Sequence, residues 1–250
     1  MIQKLPWKVV WITGASTGIG KEIALQLAAS GVAVAASARS VEKLGELGAG
    51  IRTYPLDVTD RRAVNEAVER IERDIGPIDL VILGAGTYSP VAVDIFDLAV
   101  FERTVTVNYF GVVNCIAAVL PRMLARNGGH LAWIASVAGY LGLPKAAAYG
   151  PSKAALINLA ECLKPELDLR GVTVSVINPG FVETPLTAQN DFEMPFLMQA
   201  QDAARLSIAG LVRRRFEIAY PWRLVAILKV SKLLPYALYF WLVRRTILKM

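Results

Sequence analysis

The stretch Val9-Val10-Trp11-Ile12-Thr13-Gly14-Ala15-Ser16-Thr17-Gly18-Ile19-Gly20 decides the architecture of this 250-residue chain. A short apolar run ends at Thr13 and gives way at once to three glycines, after which a helical pattern runs from Ile19 to Ser30. A strand that turns straight into a helix aims backbone N–H groups and the positive helix end at one point, where a diphosphate can bind. Gly14 permits the tight turn, Gly18 lets backbone approach the phosphates, and Gly20 lets the helix pack close to the strand. Ser16, Thr17 and Ile19 complete this expected cofactor turn.

Working outward, short apolar runs alternate with longer helical patterns, the signature of βαβ units and a parallel sheet. The runs are Val9–Thr13, Val32–Ser37, Ile51–Leu56, Leu80–Leu83, His130–Ala135, Val172–Ile177 and Phe216–Ala219. They predict one doubly wound, seven-stranded parallel sheet with helices on both faces. Helical patterns cover Arg61–Asp74, Phe101–Arg126, Tyr149–Arg170 and Asp202–Arg214. In the first of these, Ala63, Val64, Ala67, Val68 and Ile71 share one face and Arg62, Glu66, Glu69 and Arg73 the other, so it covers one side of the sheet.

The second strand ends in Ser37-Ala38-Arg39-Ser40. An acidic residue there would bind the ribose hydroxyls of NAD and repel a 2′-phosphate. Ala38 and Arg39 instead favour NADP(H) over NAD(H), with Arg39 pairing the phosphate and Ser40 a further donor.

Tyr149 follows Ser136 by thirteen positions and Lys153 follows Tyr149 by one helical turn. That spacing gathers a hydroxyl, a phenol and an ammonium. Carbonyl reduction needs a proton on oxygen as well as a hydride on carbon, and free tyrosine is a weak acid. A cation on the same helix face is expected to lower the phenol's pKa. Tyr149 is then the acid in reduction and the base in oxidation, with Ser136 orienting the carbonyl oxygen. Pro151 in this turn requires Tyr149 to sit at the very start of its helix. His130, the only histidine, reads as structural.

In these motifs the chain resembles the short-chain dehydrogenase/reductase family, from Thr13 to about Thr184. The TGxxxGIG motif is matched by Thr13 to Gly20, the Asp-Val pair by Asp57 and Val58, and the helix-borne Asn by Asn108. The catalytic Ser is matched by Ser136, YxxxK by Tyr149 and Lys153, and the segment after the sixth strand by Pro179, Gly180 and Thr184. The resemblance implies a Rossmann-like sheet and reversible carbonyl–alcohol interconversion with NAD(P). It adds Asp57, Val58, Gly86, Asn108, Pro179, Gly180, Val182 and Thr184 to the expected cofactor contacts. It also implies that Lys153 binds the nicotinamide ribose and that Asn108 holds a water linking Lys153 to solvent. One departure stands out: where the family usually has Asn-Asn-Ala-Gly, this chain has Leu83-Gly84-Ala85-Gly86, which bears on the stability of the loop more than on the chemistry.

Hydrophobic residues make up 54% of the chain and mean hydropathy is +0.44, an excess that implies either an unusually complete core or apolar surface that meets lipid or a subunit. The two cysteines, Cys115 and Cys162, lie in helical patterns without metal-ligand spacing, so buried thiols and no metal are expected. The N-terminus has no leader pattern, and a cytoplasmic location is expected. A net charge of +6 is concentrated late: residues 203–250 hold ten Lys and Arg against one acid, Glu217. Dense apolar residues among these cations argue for a membrane surface and against nucleic acid.

Residues 1–220 are therefore expected to form one catalytic domain, with a substrate lid at about 180–200 rich in Phe and Met, and 221–250 an apolar, basic helical extension. Leu224–Val243 has the length of a membrane span. Its apolar residues supply only about −3 to −7 kcal/mol, while Lys229 and Lys232 cost about 5 to 7 together. Interrupted by Pro235, it fits better as a helical hairpin lying in the interface, or as helices packed over the cleft or on a second subunit. A lipophilic substrate and a homo-oligomer follow as expectations, peripheral membrane contact with them. The alternative to an enzyme is a non-catalytic NADP-binding sensor or scaffold at a membrane surface.

Overall fold

The computed structural model describes residues 5–48, 50–190 and 192–248; Asp191 of the expected lid and the two ends of the chain lie outside them. Seven strands, β1 Val9–Thr13, β2 Ala33–Ser37, β3 Ile51–Thr53, β4 Leu80–Leu83, β5 Gly129–Ile134, β6 Val172–Pro179 and β7 Glu217–Tyr220, form one sheet. Its order is β3-β2-β1-β4-β5-β6-β7, parallel throughout. Two strands meet β1 from opposite sides, with Val10 opposite Val34 of β2 and Leu80 of β4. The winding reverses there, and a crevice opens beyond the carboxyl ends of β1 and β4.

The period-2 alternation of the strands sends side chains into two cores. Val9 and Trp11 enter one with Val64, Val68 and Ile71 of α3 (Arg61–Asp74), Cys115 and Val119 of α5 (Gly111–Ala125), and Leu156 and Ala160 of α6 (Tyr149–Asp168). Val10 and Ile12 enter the other with Ile23 and Leu27 of α1 (Gly18–Ala29) and Ala203 and Leu211 of α7 (Ala200–Val212). Polar atoms of the large buried rings are paired: Trp11 Nε1 donates to Ser37 Oγ at 3.0 Å and Trp133 Nε1 to the Leu156 carbonyl at 2.9 Å.

Local signals explain where helices begin. Asp60 accepts hydrogen bonds from the Arg62 and Ala63 amides and starts α3, and Asp97 accepts from Ala99 to start α4 (Leu98–Val105). A short helix not expected from the sequence, α2 (Val41–Gly45), is capped by Ser40. The expected single helix Phe101–Arg126 is instead α4, a π-helical turn at Thr106–Phe110 and α5 in one run. Among the described residues this run, Leu98–Ala125, is the one helix long and apolar enough to cross a membrane, but Cys115, Val119 and Met123 on it are fully buried in the core.

Beyond β7 come α8 (Trp222–Ser231) and α9 (Tyr236–Thr246), broken at Pro235. Leu224, Val225 and Leu228 of α8 pack on Val137, Tyr140, Leu141 and Phe181, and the Tyr239 hydroxyl of α9 donates to the Gly142 carbonyl. One thiol departs from expectation: Cys115 is buried, but Cys162 is exposed, because it lies on the outer face of α6.

Candidate active site

The glycine turn is built by close approach of backbone to backbone. A side chain on Gly14, whose φ is +71°, would meet the Gly84 and Ala85 backbone at 2.6 Å, and one on Gly20 would meet the Gly14 carbonyl at 2.5 Å. On Gly18, at φ +56°, it would meet Thr184 at 2.8 Å, so the loop after β6 closes directly on the turn. Thr17 stands at the N-cap of α1 in extended conformation without a side-chain cap bond, and the first turn carries no acid. No side chain at the N-cap therefore satisfies the leading amides of α1.

The Leu83-Gly84-Ala85-Gly86 departure has its own support. Thr13 Oγ1 accepts from the Gly84 amide at 3.2 Å and the Ala85 amide at 3.4 Å, and the Thr13 carbonyl accepts from Gly84 at 3.0 Å. A side chain on residue 84 would meet Ile134 and the Thr13 carbonyl at 3.0 Å. Close packing leaves little room there, and Thr13 ties the loop to β1 through both its hydroxyl and its carbonyl.

These residues open onto one cleft of about 410 Å³ that reaches from the β2 tip to the start of α6. Gly14, Ser16, Thr17, Gly18, Ile19 and Gly20 form one wall; Arg39, Ser40, Asp57 and Val58 stand at the β2 and β3 end. Gly86, Ser136, Tyr149 and Lys153 line the opposite end, with Pro179, Gly180, Val182 and Thr184 across from the glycine turn. Asn108 is not on the lining; it stands behind Gly86, where an added Cβ would lie 3.3 Å from its Oδ1.

At the β2 tip Arg39 is exposed and Ala38 buried. The Ser40 hydroxyl accepts from the Lys43 amide at 3.3 Å and donates to Glu42 at 2.9 Å, capping α2. Lys43, missed from the sequence because α2 was not expected, joins Arg39 on the lining. Behind them the Asp57 carboxylate accepts from the Thr59 amide and hydroxyl, while Asn114 of α5 donates to the Val58 carbonyl at 3.0 Å.

Ser136 follows β5 and Tyr149 begins α6, as Pro151 requires. The Ser136 hydroxyl accepts from the Ala138 amide at 3.1 Å, reaches the Pro179 carbonyl at 3.4 Å and hydrogen-bonds the Tyr149 phenol. Lys153 is 4% exposed; its Nζ donates to the Ile134 carbonyl at 2.8 Å and lies 5.5 Å from the centre of the Tyr149 ring. Tyr88 meets that ring edge-on, centroids 5.2 Å apart.

The expected direction of the tyrosine shift is corrected here. Burial pushes the Tyr149 phenol up to about 12, against the opposing Ser136 hydrogen bond and with Tyr88 adding to the rise. Burial also lowers Lys153 to about 8. Desolvation disfavours each group's charged form and outweighs the help the ammonium was expected to give. At neutral pH the phenol is thus firmly protonated.

Asn108 ties two elements together through its side chain. Its Oδ1 accepts from the Thr87 amide at 2.7 Å, and its Nδ2 donates to the Thr87 carbonyl and to Ser152 Oγ, both at 3.0 Å. The fully buried amide spends its hydrogen-bonding capacity tying the loop after β4 to α6, and the π-helical turn is what carries it there. His130 lies outside the cleft, buried against Ser175 Oγ at 2.8 Å, and burial lowers it to about 3.

Beyond the lining residue Gly180 the chain runs into a segment rich in apolar side chains. The segment after Gly180 is pinned at its base, where the Met198 amide donates to the Phe181 carbonyl at 3.0 Å and Glu183 to Met198 at 2.9 Å. Phe181 meets Phe192 edge-on at 5.8 Å, whereas Phe196 and Leu197 are exposed. Beneath α8, Glu217 joins Tyr140, Asn178 and Lys229, so the tail is tied to the turn that follows Ser136.

The short chain dehydrogenase family model matches residues 8–194. The chain belongs to the short-chain dehydrogenase family. It is 37% identical to an uncharacterised oxidoreductase of Myxococcus xanthus (strain DK1622), over 94% of this chain and 96% of that protein. It is 34% identical to a fatty acyl-CoA reductase of Acinetobacter baylyi, over 85% of this chain and 75% of that protein. The solved structure of ElxO with NADP bound superposes with a TM-score of 0.76 at 26% identity, covering 85% of this chain and 97% of that one. As a member of the short-chain dehydrogenase family the protein is an oxidoreductase of CH–OH groups that uses NAD(P), and its Rossmann-like parallel sheet is the family's.

Proposed function

We propose that the protein interconverts a carbonyl and an alcohol on a lipophilic substrate with NADP(H), Tyr149 acting as general acid and base. The observation that carries this reading is that Ser136, Tyr149 and Lys153 line the same cleft as the glycine turn and Arg39. The cleft fits the dinucleotide: uncapped α1 amides suit a diphosphate, and Arg39 with Lys43 suits a 2′-phosphate. Asp57 and Val58 would flank the base, and Gly86, Pro179, Gly180, Val182 and Thr184 the nicotinamide half. Reduced nicotinamide, when bound, supplies the hydride for the carbonyl carbon.

The protein's own groups handle the oxygen. Ser136 donates a hydrogen bond that orients and polarises it. Tyr149, protonated at neutral pH, gives up its proton as the oxygen becomes alkoxide-like, since an alkoxide is a stronger base than a phenolate. Lys153, lowered to about 8, takes up and returns protons near neutrality, as recharging the phenol requires. Asn108 and Ser152 act as positioning residues that hold the Thr87 loop against α6.

The lipophilic substrate is supported by the apolar segment that follows the lining residue Gly180, in which Phe181 meets Phe192 and Phe196 and Leu197 are exposed, and by the name of the Acinetobacter relative. In this reading residues 1–220 form the catalytic domain, 180–200 the lid and 221–250 an appended element, and exposed Val105 and Phe110 provide a contact for a homo-oligomer. NADPH oxidation across ketones of increasing chain length tests it. kcat/KM should climb with chain length; a flat response would remove the lipophilic site, and no turnover of any ketone would remove the reaction.

A further inference from the structure

A helix packed on one side and wet on the other should carry polar residues on its wet side. α9 does not. Tyr239 faces inward, 7% exposed, while Tyr236 at 77%, Phe240 at 53% and Trp241 at 47% face outward. α8 repeats the pattern, with Leu224 buried at 7% and Trp222 exposed at 72%. The link between them exposes Leu233 at 83%.

The outward polar residues are cations. Lys229 is engaged by Glu217, leaving Arg223, Lys232, Arg244 and Arg245 among the exposed rings, and no acid follows Glu217 in the sequence. The guanidinium of Arg245 lies 5.5 Å from the Trp241 ring centre and that of Arg223 5.6 Å from Trp222, so charge and aromatic surface form single units.

We propose that α8 and α9 dock on an anionic lipid surface. Exposed aliphatic and aromatic residues with interspersed Lys and Arg match the boundary between headgroups and acyl chains, and the unbalanced positive charge matches anionic headgroups. A second copy fits less well, since a two-fold contact would set these cations against themselves with no acid in the tail to answer them. Because the tail follows β7 and packs against Gly180, where an added Cβ would meet Leu224 at 2.7 Å, docking sets the substrate side of the cleft beside the bilayer. That consequence rests on the lipophilic substrate proposed above; the docking does not.

Flotation of the full chain with vesicles of phosphatidylcholine, alone or mixed with phosphatidylglycerol, tests it without any measure of turnover. The mixed vesicles should capture the protein at low salt and blue-shift its tryptophan emission, with affinity about ten-fold lower for phosphatidylcholine alone or in high salt. R244E/R245E and L233D/W222S, all at exposed positions, should each reduce capture about ten-fold or more while circular-dichroism melting stays that of the parent. No capture of a folded parent, or capture that both variants leave intact, would overturn the proposal. So would a parent that ignores vesicles and sediments as a dimer dissociated by L233D/W222S.

Discussion

The two ends of the cleft are built by different means. Around β1 and β2 the walls are backbone: Gly14, Gly18 and Gly20 sit where an added Cβ would fall 2.5 to 2.8 Å from a neighbour. Beside β6 the cleft is lined by Pro179, Gly180, Val182 and Thr184, and the adjoining Phe181 packs with Leu224 and Leu228 of a tail helix in a small core of its own. A diphosphate has fixed shape and charge, so it can be met by amides at fixed spacing. A lipophilic substrate presents area, and many apolar side chains in many arrangements can cover it.

The contrast breaks most sharply at Gly14. Gly14→Ala should destabilise the protein by about 2–5 kcal/mol, combining a left-handed residue with overpacking against Gly84 and Ala85, measured by denaturant unfolding. A cost below about 1 kcal/mol would mean the turn relaxes and the backbone wall is soft.

Acid probes the sheet that carries both ends. His130 is lowered to about 3 by burial, below the usual 6.5 of an unfolded chain. The unfolded state then binds the extra proton first, so His130's contribution is complete above about pH 6.5 and declines as pH falls toward 3. The decline is a few kcal/mol at its limit, and H130Q should flatten that part of a stability-against-pH curve.

Arg39→Asp attacks the charged end selectively. Losing a charge-assisted phosphate contact and adding repulsion should cut NADPH affinity about 10- to 100-fold relative to NADH. Unchanged preference would shift the 2′-phosphate contact to Lys43. At the apolar end, L233S should alter stability by less than about 0.5 kcal/mol, because Leu233 is 83% exposed; a larger loss would mean the tail is packed more firmly than its exposure indicates.

The same contrast explains what could be read from the chain. Strands and α3 were legible because burial on one face writes a period into the residues: Val64, Ala67, Val68 and Ile71 are all buried in α3. The glycine turn, Arg39 and Ser136, Tyr149 and Lys153 line one cleft, a grouping that their motif spacing and strand-tip position made legible. α2 was hidden, since Val41–Gly45 is too short to have a period, and Lys43 was lost with it. The π-helical turn at Thr106–Phe110 has the residue pattern of an α-helix, and only the bonds of Asn108 to Thr87 and Ser152 reveal its purpose. The tyrosine shift went the other way from expectation because spacing gives the proximity of Lys153 but not the depth of burial, and burial dominates.

Tyr149→Phe, with NADPH affinity and turnover of a long-chain ketone measured on the same preparation, tests the central claim most directly. The account predicts NADPH binding within about two-fold of the parent, because the ring and its contacts remain, and kcat lowered by about 10²- to 10⁴-fold for want of the proton donor. Turnover close to that of the parent would contradict it and remove the phenol from the reaction.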